Sequence, residues 1–410
     1  MKRVAIIGAG AAGCFCAAQL RRWRPDLQIT VFEAGPKPLA KVAITGGGRC
    51  NLTNDFQGIR SLSEAYPRGE RVMKRALKAF SQEDTVHWFT AEGVPCVLQE
   101  DHCWFPQSQD AMDVVHALLN AMQGAEIRLN TPVRSVQRCP VKPGMTGTDH
   151  QPSWPAPTGH LVNGEPFDYV VVTTGGAPKG LPFLEGLDLE LVPPVPSLFT
   201  FTVPDPGLRS LMGLVVEASI GLQGTGFKAD GPLLITDWGL SGPATLKLSS
   251  YAARHLADHG YKGILSVNWL NESENEVRAR LQEIATAHAQ RQLSSTPPGL
   301  PGRLWEHLLA KAGLRSGIRW AELGSKGLNR LTAVLVSDSY PLSGKSRFRE
   351  EFVTAGGVAL TNVDLSTLEC KRHPGLFFAG EVLDIDAITG GFNLQAAWST
   401  GYVCAKSIAR

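Results

Sequence analysis

The stretch Val4-Ala-Ile-Ile-Gly-Ala-Gly-Ala-Ala-Gly13 decides the fold of the N-terminal part of this chain. Residues 4–7 form a short apolar run typical of a buried parallel strand. Residues 11–23 have a helical pattern that Pro25 ends, and residues 28–32 alternate like a second strand. Strand, glycine turn, helix and strand in this order predict the start of a Rossmann half.

The three glycines of this turn have separate tasks. Gly8 makes the tight turn, Gly10 lets the backbone approach a pyrophosphate, and Gly13 lets the helix pack closely on the strand. Amides at the helix start favour such an anion. Glu33, twenty residues after Gly13, can accept hydrogen bonds from both ribose hydroxyls and would repel a 2′-phosphate. The turn predicts a dinucleotide site but does not separate FAD from NAD, since both carry ADP.

Two distant segments favour FAD. Residues 45–54, Thr-Gly-Gly-Gly-Arg-Cys-Asn-Leu-Thr-Asn, suit a loop whose backbone passes close to a planar or phosphorylated ligand. Residues 375–395 lead from a strand past Glu381 and Asp384, whose carboxylates suit ribityl hydroxyls, to the last helix. The start of that helix offers amides to the flavin pyrimidine edge. An ordinary polar turn and an ordinary helix N-terminus are the alternative interpretations.

Three further positions in the chain carry predictions. The sequence Thr174-Gly175-Gly176, after a buried strand, marks another close approach to the cofactor. Arg49 is predicted as the charge partner of pyrophosphate or substrate. Cys50 is considered as a redox thiol, although no partner cysteine lies near it in sequence.

The composition indicates a globular protein of two or three domains. The 410 residues are 43% hydrophobic and 19% charged. The net charge of +2 gives no broad field for nucleic acid or membranes, which disfavours an RNA partner without excluding it. Eight cysteines without a CxxC pair, and no signal peptide, predict reduced thiols in a cytoplasmic protein. No apolar run approaches the ~20 residues of a membrane span. The oligomeric state is left open.

The pattern along the chain predicts a discontinuous first domain. Helical spacing recurs at 71–80, 83–91 and 110–122, and a buried strand is predicted at 168–172. Residues 139–164 are interpreted as an exposed excursion without chemistry, and the proline-rich residues 182–196 as a hinge. After it, short strands are predicted over 197–270, helices over 271–325, a strand at 331–336 and a closing helix at 394–409.

The chain resembles the BaiN/RdsA-type FAD-binding flavoproteins, also described as the aminoacetone oxidase family or as NAD(P)/FAD-dependent oxidoreductases. The resemblance extends over nearly the full length and rests on GAGAAG at 8–13, TGGGRCNLTN at 45–54, FPQS at 105–108, TTGG at 173–176, GLSGPA at 239–244, TAGGV at 354–358 and GEVLDIDAITGGFN at 380–393.

This resemblance implies an α/β fold, with a Rossmann-like FAD-binding domain, an inserted β-barrel-like domain and a small helical domain. The corresponding boundaries are 1–190 with 345–410, 191–270 with 326–344, and 271–325. It also implies a backbone contact of Val133 with adenine. Where many relatives have Thr-His before GLSGPA, this chain has Thr236-Asp237, which puts a proton-handling role at that position in doubt.

The predicted site residues fall into two groups, and no metal site is predicted. The catalytic candidates are Arg49, Thr236 and Asp237. They would lie near Ser241 in a pocket between flavin and inserted domain, with Asp237 an acid or base if buried and otherwise a solvated turn residue. The cofactor-binding candidates are Gly8, Ala9, Gly10, Ala11, Ala12, Gly13, Glu33, Ala34, Lys41, Thr45, Gly46, Gly47, Gly48, Arg49, Cys50, Asn51, Val133, Thr174, Gly175, Gly176, Gly380, Glu381, Asp384, Gly390, Gly391, Phe392 and Asn393.

The preferred functional hypothesis is an oxidoreductase in which NAD(P)H reduces FAD and a small unsaturated or carbonyl compound reoxidises it. The glycines at 221, 224 and 226 lack the preceding strand and the acid of a second dinucleotide site, so NAD(P)H would dock only transiently. The alternatives are an amine oxidase using oxygen, a flavin-dependent reductase of an RNA pyrimidine, and a binding module with structural FAD.

Overall fold

The computed structural model describes residues 1–139, 159–177, 180–345 and 353–410. Most of the predicted excursion at 139–164 lies outside these residues. The chain divides into two compact units, Met1–Val195 with Val353–Arg410, and Pro196–Phe352. In the described part of the chain, no helix has the length and apolar character needed to cross a membrane.

The strands are numbered in chain order. They are β1 (Arg3–Ile7), β2 (Gln28–Phe32), β3 (Thr53–Asn54), β4 (Cys96–Leu98), β5 (Cys103–Pro106), β6 (Glu126–Arg128), β7 (Val136–Arg138), β8 (His160–Val162), β9 (Glu165–Phe167), β10 (Tyr169–Val172), β11 (Leu191–Ser197), β12 (Phe201–Thr202), β13 (Val215–Leu222), β14 (Lys228–Ile235), β15 (Gly239–Ser241), β16 (Gly263–Asn268), β17 (Asp338–Leu342), β18 (Gly344–Lys345), β19 (Val353–Val358) and β20 (Leu376–Phe378).

The α-helices follow the same numbering. They are α1 (Ala11–Trp23), α2 (Ala40–Gly48), α3 (Leu62–Ala65), α4 (Glu70–Ala79), α5 (Gln82–Ala91), α6 (Ala111–Ala121), α7 (Pro206–Arg209), α8 (Pro243–Tyr251), α9 (Ala253–Asp258), α10 (Glu274–Ala287), α11 (Gly302–Lys311), α12 (Gly324–Val336) and α13 (Phe392–Ala409).

A parallel sheet forms the centre of the first unit, with strand order β20-β10-β1-β2-β6. Each pairing in it is parallel, and β1 lies between β10 and β2. The apolar run of β1 is buried, as expected for a strand of a parallel sheet that helices cover on both faces. Helices α1 and α13 pack so closely that a Cβ at Gly401 would lie 2.7 Å from the Ala12 carbonyl oxygen. The mixed α/β Rossmann arrangement predicted from the glycine turn is confirmed.

Local sequence signals fixed most helices of the first unit. Helix α1 has the predicted bounds, and α4, α5 and α6 begin or end within one residue of prediction. Helix α5 begins at a capping box, in which the Ser81 side chain accepts from the Asp84 amide while Asp84 accepts from the Ser81 amide. The described end of the excursion is β8, which pairs with β7 and β9.

The second unit is built on a seven-stranded sheet, ordered β17-β16-β13-β14-β15-β12-β18. Its pairings are antiparallel. The core contains large aromatic side chains, among them Trp269, Trp305 and Tyr340, all fully buried. Among the described residues, no pairing joins β17 to β18, so the barrel stays a prediction, as do the domain boundaries and the separate helical insert.

The strand predicted at residues 331–336 is wrong, because this stretch is the C-terminal half of helix α12. Its buried residues are Gly327, Leu331, Thr332 and Leu335, which follow helical spacing. The β-branched Thr332 and Val334 suggested a strand, but packing of one helical face overrides that propensity. The region 197–270 also contains helices α7, α8 and α9 beside the expected strands.

Candidate functional site

The glycine turn, residues 8–13, follows β1 and is tightly packed at two of its three glycines. A Cβ at Gly8, where φ is +107°, would lie 2.6 Å from the Thr173 carbonyl oxygen. A Cβ at Gly13 would lie 2.1 Å from the Gly8 carbonyl oxygen. The Thr173 hydroxyl donates to the carbonyl oxygens of Ile7 (3.0 Å) and Gly8 (2.8 Å). Only glycine fits at positions 8 and 13 without backbone displacement.

Gly10 differs from its two neighbours, because an added Cβ there would meet no atom within 4 Å. Gly10 is the N-cap of α1 and provides no side-chain hydrogen bond, and the first turn of the helix carries no acidic residue. The amides at this helix start are therefore not capped by the N-cap side chain, and the space beside Gly10 is open. Both features fit a pyrophosphate group.

The Glu33 carboxylate lies beside the turn. Its two oxygens accept from the Ala9 amide (2.9 Å) and the Gly35 amide (2.7 Å), and the side chain is half-buried. Each carboxylate oxygen has a second lone pair, so the group retains capacity for ribose hydroxyls. The Thr131 amide donates to the Glu33 carbonyl oxygen (2.8 Å). Val133, two residues further on and half-buried, thus belongs to a segment beside Glu33.

The glycine run 46–48 breaks α2. Gly46, Gly47 and Gly48 have φ of +60°, +69° and +82°, and a Cβ at Gly47 or Gly48 would meet no atom within 4 Å. Arg49 is exposed, donates from Nε to the Gly46 carbonyl oxygen (3.2 Å), and places its guanidinium 4.5 Å from the centre of the Phe105 ring. This packing holds Arg49 at the surface of the loop.

The loop at 45–54 and the start of α13 meet, although the sequence separates them widely. We call the contact between residues 51–54 and residues 390–395 the junction. The Asn54 side chain donates to the Gly390 carbonyl oxygen (3.1 Å). The side-chain nitrogen of Asn51 donates to the Thr53 carbonyl oxygen (3.0 Å), and its side-chain oxygen accepts from the Gly391 backbone amide (3.3 Å). A Cβ at Gly391 would lie 2.6 Å from the Thr53 carbonyl oxygen, so glycine permits this approach.

Buried polar groups continue the junction into the protein interior. The Gln395 side-chain oxygen accepts from the hydroxyls of Thr53 (2.6 Å) and Thr85 (2.9 Å), and its nitrogen donates to Ser399 (2.9 Å). The side chain of Asn393 pairs with both backbone groups of Ala387, each at 3.0 Å. The side-chain amides of Gln395 and Asn393 thus form hydrogen bonds within the protein, while the backbone at 390–393 stays a candidate for cofactor contact.

Glu381 joins three of the motifs quoted above. Its carboxylate accepts from the Thr354 amide (2.7 Å) and lies 3.7 Å from the exposed Lys41 ammonium. A Cβ at Gly176 would lie 2.3 Å from the Thr354 hydroxyl and 2.6 Å from Glu381. The close approach predicted for the 174–176 segment is therefore an approach to protein atoms at Gly176.

The other predicted positions of residues 375–395, the closing segment, have separate partners in the protein. The Gly380 amide donates to the Thr400 hydroxyl (2.8 Å), and the Asp384 amide donates to the Val358 carbonyl oxygen (3.0 Å). Asp384 itself is half-buried, and Phe392 is buried with its ring 5.0 Å from that of Phe56.

Sequence reasoning missed a buried ion pair between Arg68 and Asp386. The Asp386 side chain is fully buried and accepts from both Nε and Nη2 of Arg68, whose side chain is 14% exposed. The signal was an aspartate within the apolar stretch 382–388, because a buried carboxylate requires a charged or hydrogen-bonding partner. The pair connects the closing segment to the start of α4.

Cys50 is fully buried, with a left-handed backbone at φ +61°. Burial raises the pKa of its thiol to about 12, and nearby Cys96 adds to the shift. Because the thiolate is the reactive form, this environment disfavours the redox role that we considered.

Thr236 and Asp237 belong to the second unit, whereas Arg49 belongs to the first. They lie in the turn between β14 and β15, where the buried Thr236 hydroxyl accepts from the Gly239 amide (3.1 Å). Asp237 is exposed, and its carbonyl oxygen accepts from Arg209. The exposure agrees with the solvated-turn alternative, and a catalytic role of either residue stays a prediction.

The chain is similar to two curated proteins and, more weakly, to solved flavoenzyme structures. The ribosomal RNA dihydrouridine synthase of Escherichia coli is 30% identical and covers 98% of this chain and 97% of its own length. The 3-dehydro-bile acid delta(4,6)-reductase of Clostridium scindens is 27% identical and covers 100% of this chain and 99% of its own. A solved 3-ketosteroid delta1-dehydrogenase from Sterolibacterium denitrificans aligns over 100% of both chains at 14% identity, with a TM-score of 0.48.

A family model adds the decisive match. The model described as HI0933-like protein Rossmann domain matches residues 2–407. The resemblance to BaiN/RdsA-type proteins inferred from the motifs is confirmed by this match and by the two sequence relatives. The chain belongs to the HI0933-like Rossmann-domain family and is an FAD-dependent oxidoreductase.

Proposed function

We propose that this protein uses NAD(P)H to reduce a carbon–carbon double bond conjugated to a carbonyl group. The observation that carries the proposal is that the names of two relatives, which concern different substrates, imply reduction of the same kind of bond. Dihydrouridine arises by reduction of the uracil double bond next to its C4 carbonyl, and a 3-dehydro bile acid with delta(4,6) unsaturation has its double bonds conjugated to the C3 ketone. Bound FAD would pass a hydride from NAD(P)H to the β carbon of such a bond, while a proton completes the α carbon.

We infer that the ADP half of FAD binds at the glycine turn. The open space at Gly10 and the uncapped amides of α1 suit the pyrophosphate, and Glu33 suits the ribose hydroxyls. The segment containing Val133 lies beside Glu33, which supports the backbone contact with adenine. Ala34 and Lys41 belong to the same proposed site.

The flavin half is assigned to the first unit as well. The junction positions the backbone at 390–391, the glycine run 46–48 precedes residues 51–54 in the same loop, and Glu381 lies beside Gly176. The start of α13 would present amides to the electron-accepting edge of the ring system. Arg49, exposed next to this run, is the proposed contact for an anionic group of cofactor or substrate.

Two substrate classes fit the proposed reaction: a uracil base in ribosomal RNA and a small conjugated ketone. An amine oxidase stays the alternative, since it would use the same cofactor with oxygen as the acceptor. Thr236 and Asp237 stay candidates for the proton that completes the reduction.

Anaerobic reduction of the purified flavoprotein tests the proposal. NADH or NADPH should bleach the flavin absorbance, and an unmodified ribosomal RNA transcript or a conjugated cyclic enone should restore it with formation of the reduced product. A Glu33→Gln variant should bind FAD about tenfold more weakly, because a neutral amide accepts ribose hydrogen bonds less strongly. Bleaching by amines but by neither pyridine nucleotide would contradict the reaction in favour of the oxidase.

A further inference from the structure

Helix α4 carries an exposed row of cations in the first unit. Arg71, Lys74, Arg75 and Lys78 follow the spacing i, i+3, i+4 and i+7, and all four are exposed. This spacing places them on one face of a helix. We call these residues the α4 face. The opposite side of the helix is apolar and buried.

The cations of the α4 face have no salt bridge with a carboxylate within the described ranges. Glu70 is the one acidic residue of the helix, and it occupies the first turn, where the helix dipole favours a carboxylate. Arg75 has an electrostatic neighbour in Asp364, whose pKa is lowered first by hydrogen bonds from Ser366 and also by Arg75. Arg71, Lys74 and Lys78 therefore retain the most uncompensated charge.

The position of α4 is fixed relative to the proposed cofactor site. The buried pair of Arg68 and Asp386 joins the residues before α4 to the closing segment. A Cβ at Gly69 would lie 2.7 Å from the Ile385 side chain, so the start of the helix packs directly on that segment. Both features belong to the first unit. A ligand bound to the α4 face would thus be held at a fixed position relative to the proposed cofactor site.

We propose that the α4 face binds the sugar–phosphate backbone of RNA, and this inference rests on the proposed reductase function with ribosomal RNA as substrate. A row of cations about 10 Å long, given the helical rise, matches a polyanion better than a single phosphate. A small conjugated ketone needs no such row. Since the whole chain is nearly neutral, the attraction for RNA must come from local patches of this kind.

Charge-neutral variants at two matched surfaces provide the test. The first variant combines Arg71→Gln, Lys74→Gln and Lys78→Gln. The control combines Arg315→Gln, Lys326→Gln and Arg330→Gln, which removes three exposed cations from the second unit. The probe is an unmodified ribosomal RNA transcript, whose binding to the FAD-loaded protein is followed by fluorescence anisotropy across a salt series.

The α4 variant should bind RNA at least about tenfold more weakly near physiological salt. The slope of log binding constant against log salt concentration should become shallower by about 2, since each lost phosphate contact removes ~0.7 from that slope. The control should bind as the original protein does. A charge-keeping variant, Lys74→Arg with Lys78→Arg, should also bind normally, which separates charge from helix stability. FAD content and bleaching by NAD(P)H should be unchanged in all variants.

Three results would overturn the inference: unchanged RNA binding in the α4 variant, an equal loss in the control, or no RNA binding by the original protein. In each case α4 would be an ordinary solvated helix face. These outcomes are distinct from failure of the proposed reaction, which would show as a flavin that no pyridine nucleotide reduces. Reduction of a conjugated enone without RNA binding would leave the reaction intact and remove the α4 face alone.

Discussion

The glycine turn and the junction both belong to the first unit, and they differ in how far apart their contacting residues are in sequence. In the turn, Gly13 packs on Gly8, five residues earlier, and Glu33 binds the Ala9 amide across 24 residues. In the junction, Thr53 and Gln395 form a hydrogen bond across 342 residues. The turn is a local structure, whereas the junction exists only after the chain has folded.

This difference shows what polar residues near glycines mean in each case. At the turn, the space beside Gly10 is open and no N-cap side chain occupies the amides of α1, which is what an anion site requires. At the junction, the amides of Asn54 and Gln395 are already bonded to protein groups. Its side chains position the backbone of two loops, and a ligand would contact that backbone.

The largest expected effect comes from adding one carbon at the turn. Gly13→Ala places its Cβ 2.1 Å from the Gly8 carbonyl oxygen, and the resulting overpacking should cost about 3 kcal/mol of unfolding free energy. Gly10→Ala should cost less than about 1 kcal/mol, because no atom lies within 4 Å of its Cβ and the loss is limited to alanine being a poorer N-cap. FAD affinity should nevertheless fall at least about tenfold in Gly10→Ala, since the backbone can no longer approach the pyrophosphate closely. Urea unfolding of apoprotein and FAD titration measure the two quantities.

The opposite pattern would contradict this interpretation of the turn. If Gly10→Ala lost as much stability as Gly13→Ala and kept its FAD affinity, the open space would have a structural role. If Gly13→Ala bound FAD and unfolded like the original protein, α1 would have to be free to move away from β1.

Local patterns predicted the elements of the first unit well. Apolar runs predicted β1 and β10, alternation predicted β2, and helical periodicity predicted α1 and α4. The second unit was harder, as α12 shows: its Thr and Val residues resemble a strand until the buried face is known. Propensity is a weak guide where one face of a helix packs on a sheet.

The candidate site was predictable only in part for the same reason. The glycine turn and Glu33 were identified together because strand, turn and acid follow one another in sequence. The pairing of Arg68 with Asp386 and the hydrogen bonds of Gln395 join residues more than 300 apart. Nothing in the local sequence of either partner identifies the other, so polar residues of the closing segment were assigned to the cofactor.

A smaller effect should follow from cutting the junction at its buried centre. Gln395→Ala removes the acceptor of Thr53 and Thr85 and the donor to Ser399. Leaving buried polar groups without partners should cost about 2 kcal/mol of unfolding free energy. FAD affinity should fall too, because the backbone at 390–393 loses its support. Urea unfolding and FAD titration measure both changes.

A surface variant and a double mutant make this test specific. Gln123→Ala, at an exposed position, should change the unfolding free energy by less than about 0.5 kcal/mol. Combining Thr53→Val with Gln395→Ala should give a non-additive loss of about 1 kcal/mol, as expected for residues in contact. Strict additivity would show that the hydrogen bond across 342 residues contributes nothing to stability.

The smallest effect concerns Cys50, where a local signal for redox chemistry competes with burial near the junction. Burial raises the pKa of this thiol from its ordinary value of 9.0 to about 12. Between these values the unfolded chain releases the proton while the folded protein keeps it, so folding stability must fall as pH rises. The fall is at most about 1.4 kcal/mol per pH unit for one thiol.

Removing this thiol should therefore make the alkaline loss of stability shallower by up to that amount. Cys50→Ser keeps a similar side-chain size without a titrating group, and Cys50→Ala adds a small cavity, so both should flatten the slope equally while differing in absolute stability. Urea unfolding from pH 8 to 10.5 measures the slopes, and FAD reduction by NAD(P)H should persist in both variants. An unchanged slope, together with rapid alkylation of the folded protein at pH 8, would mean that Cys50 ionises in the native state, and would restore the redox thiol suggested by its neighbours in sequence.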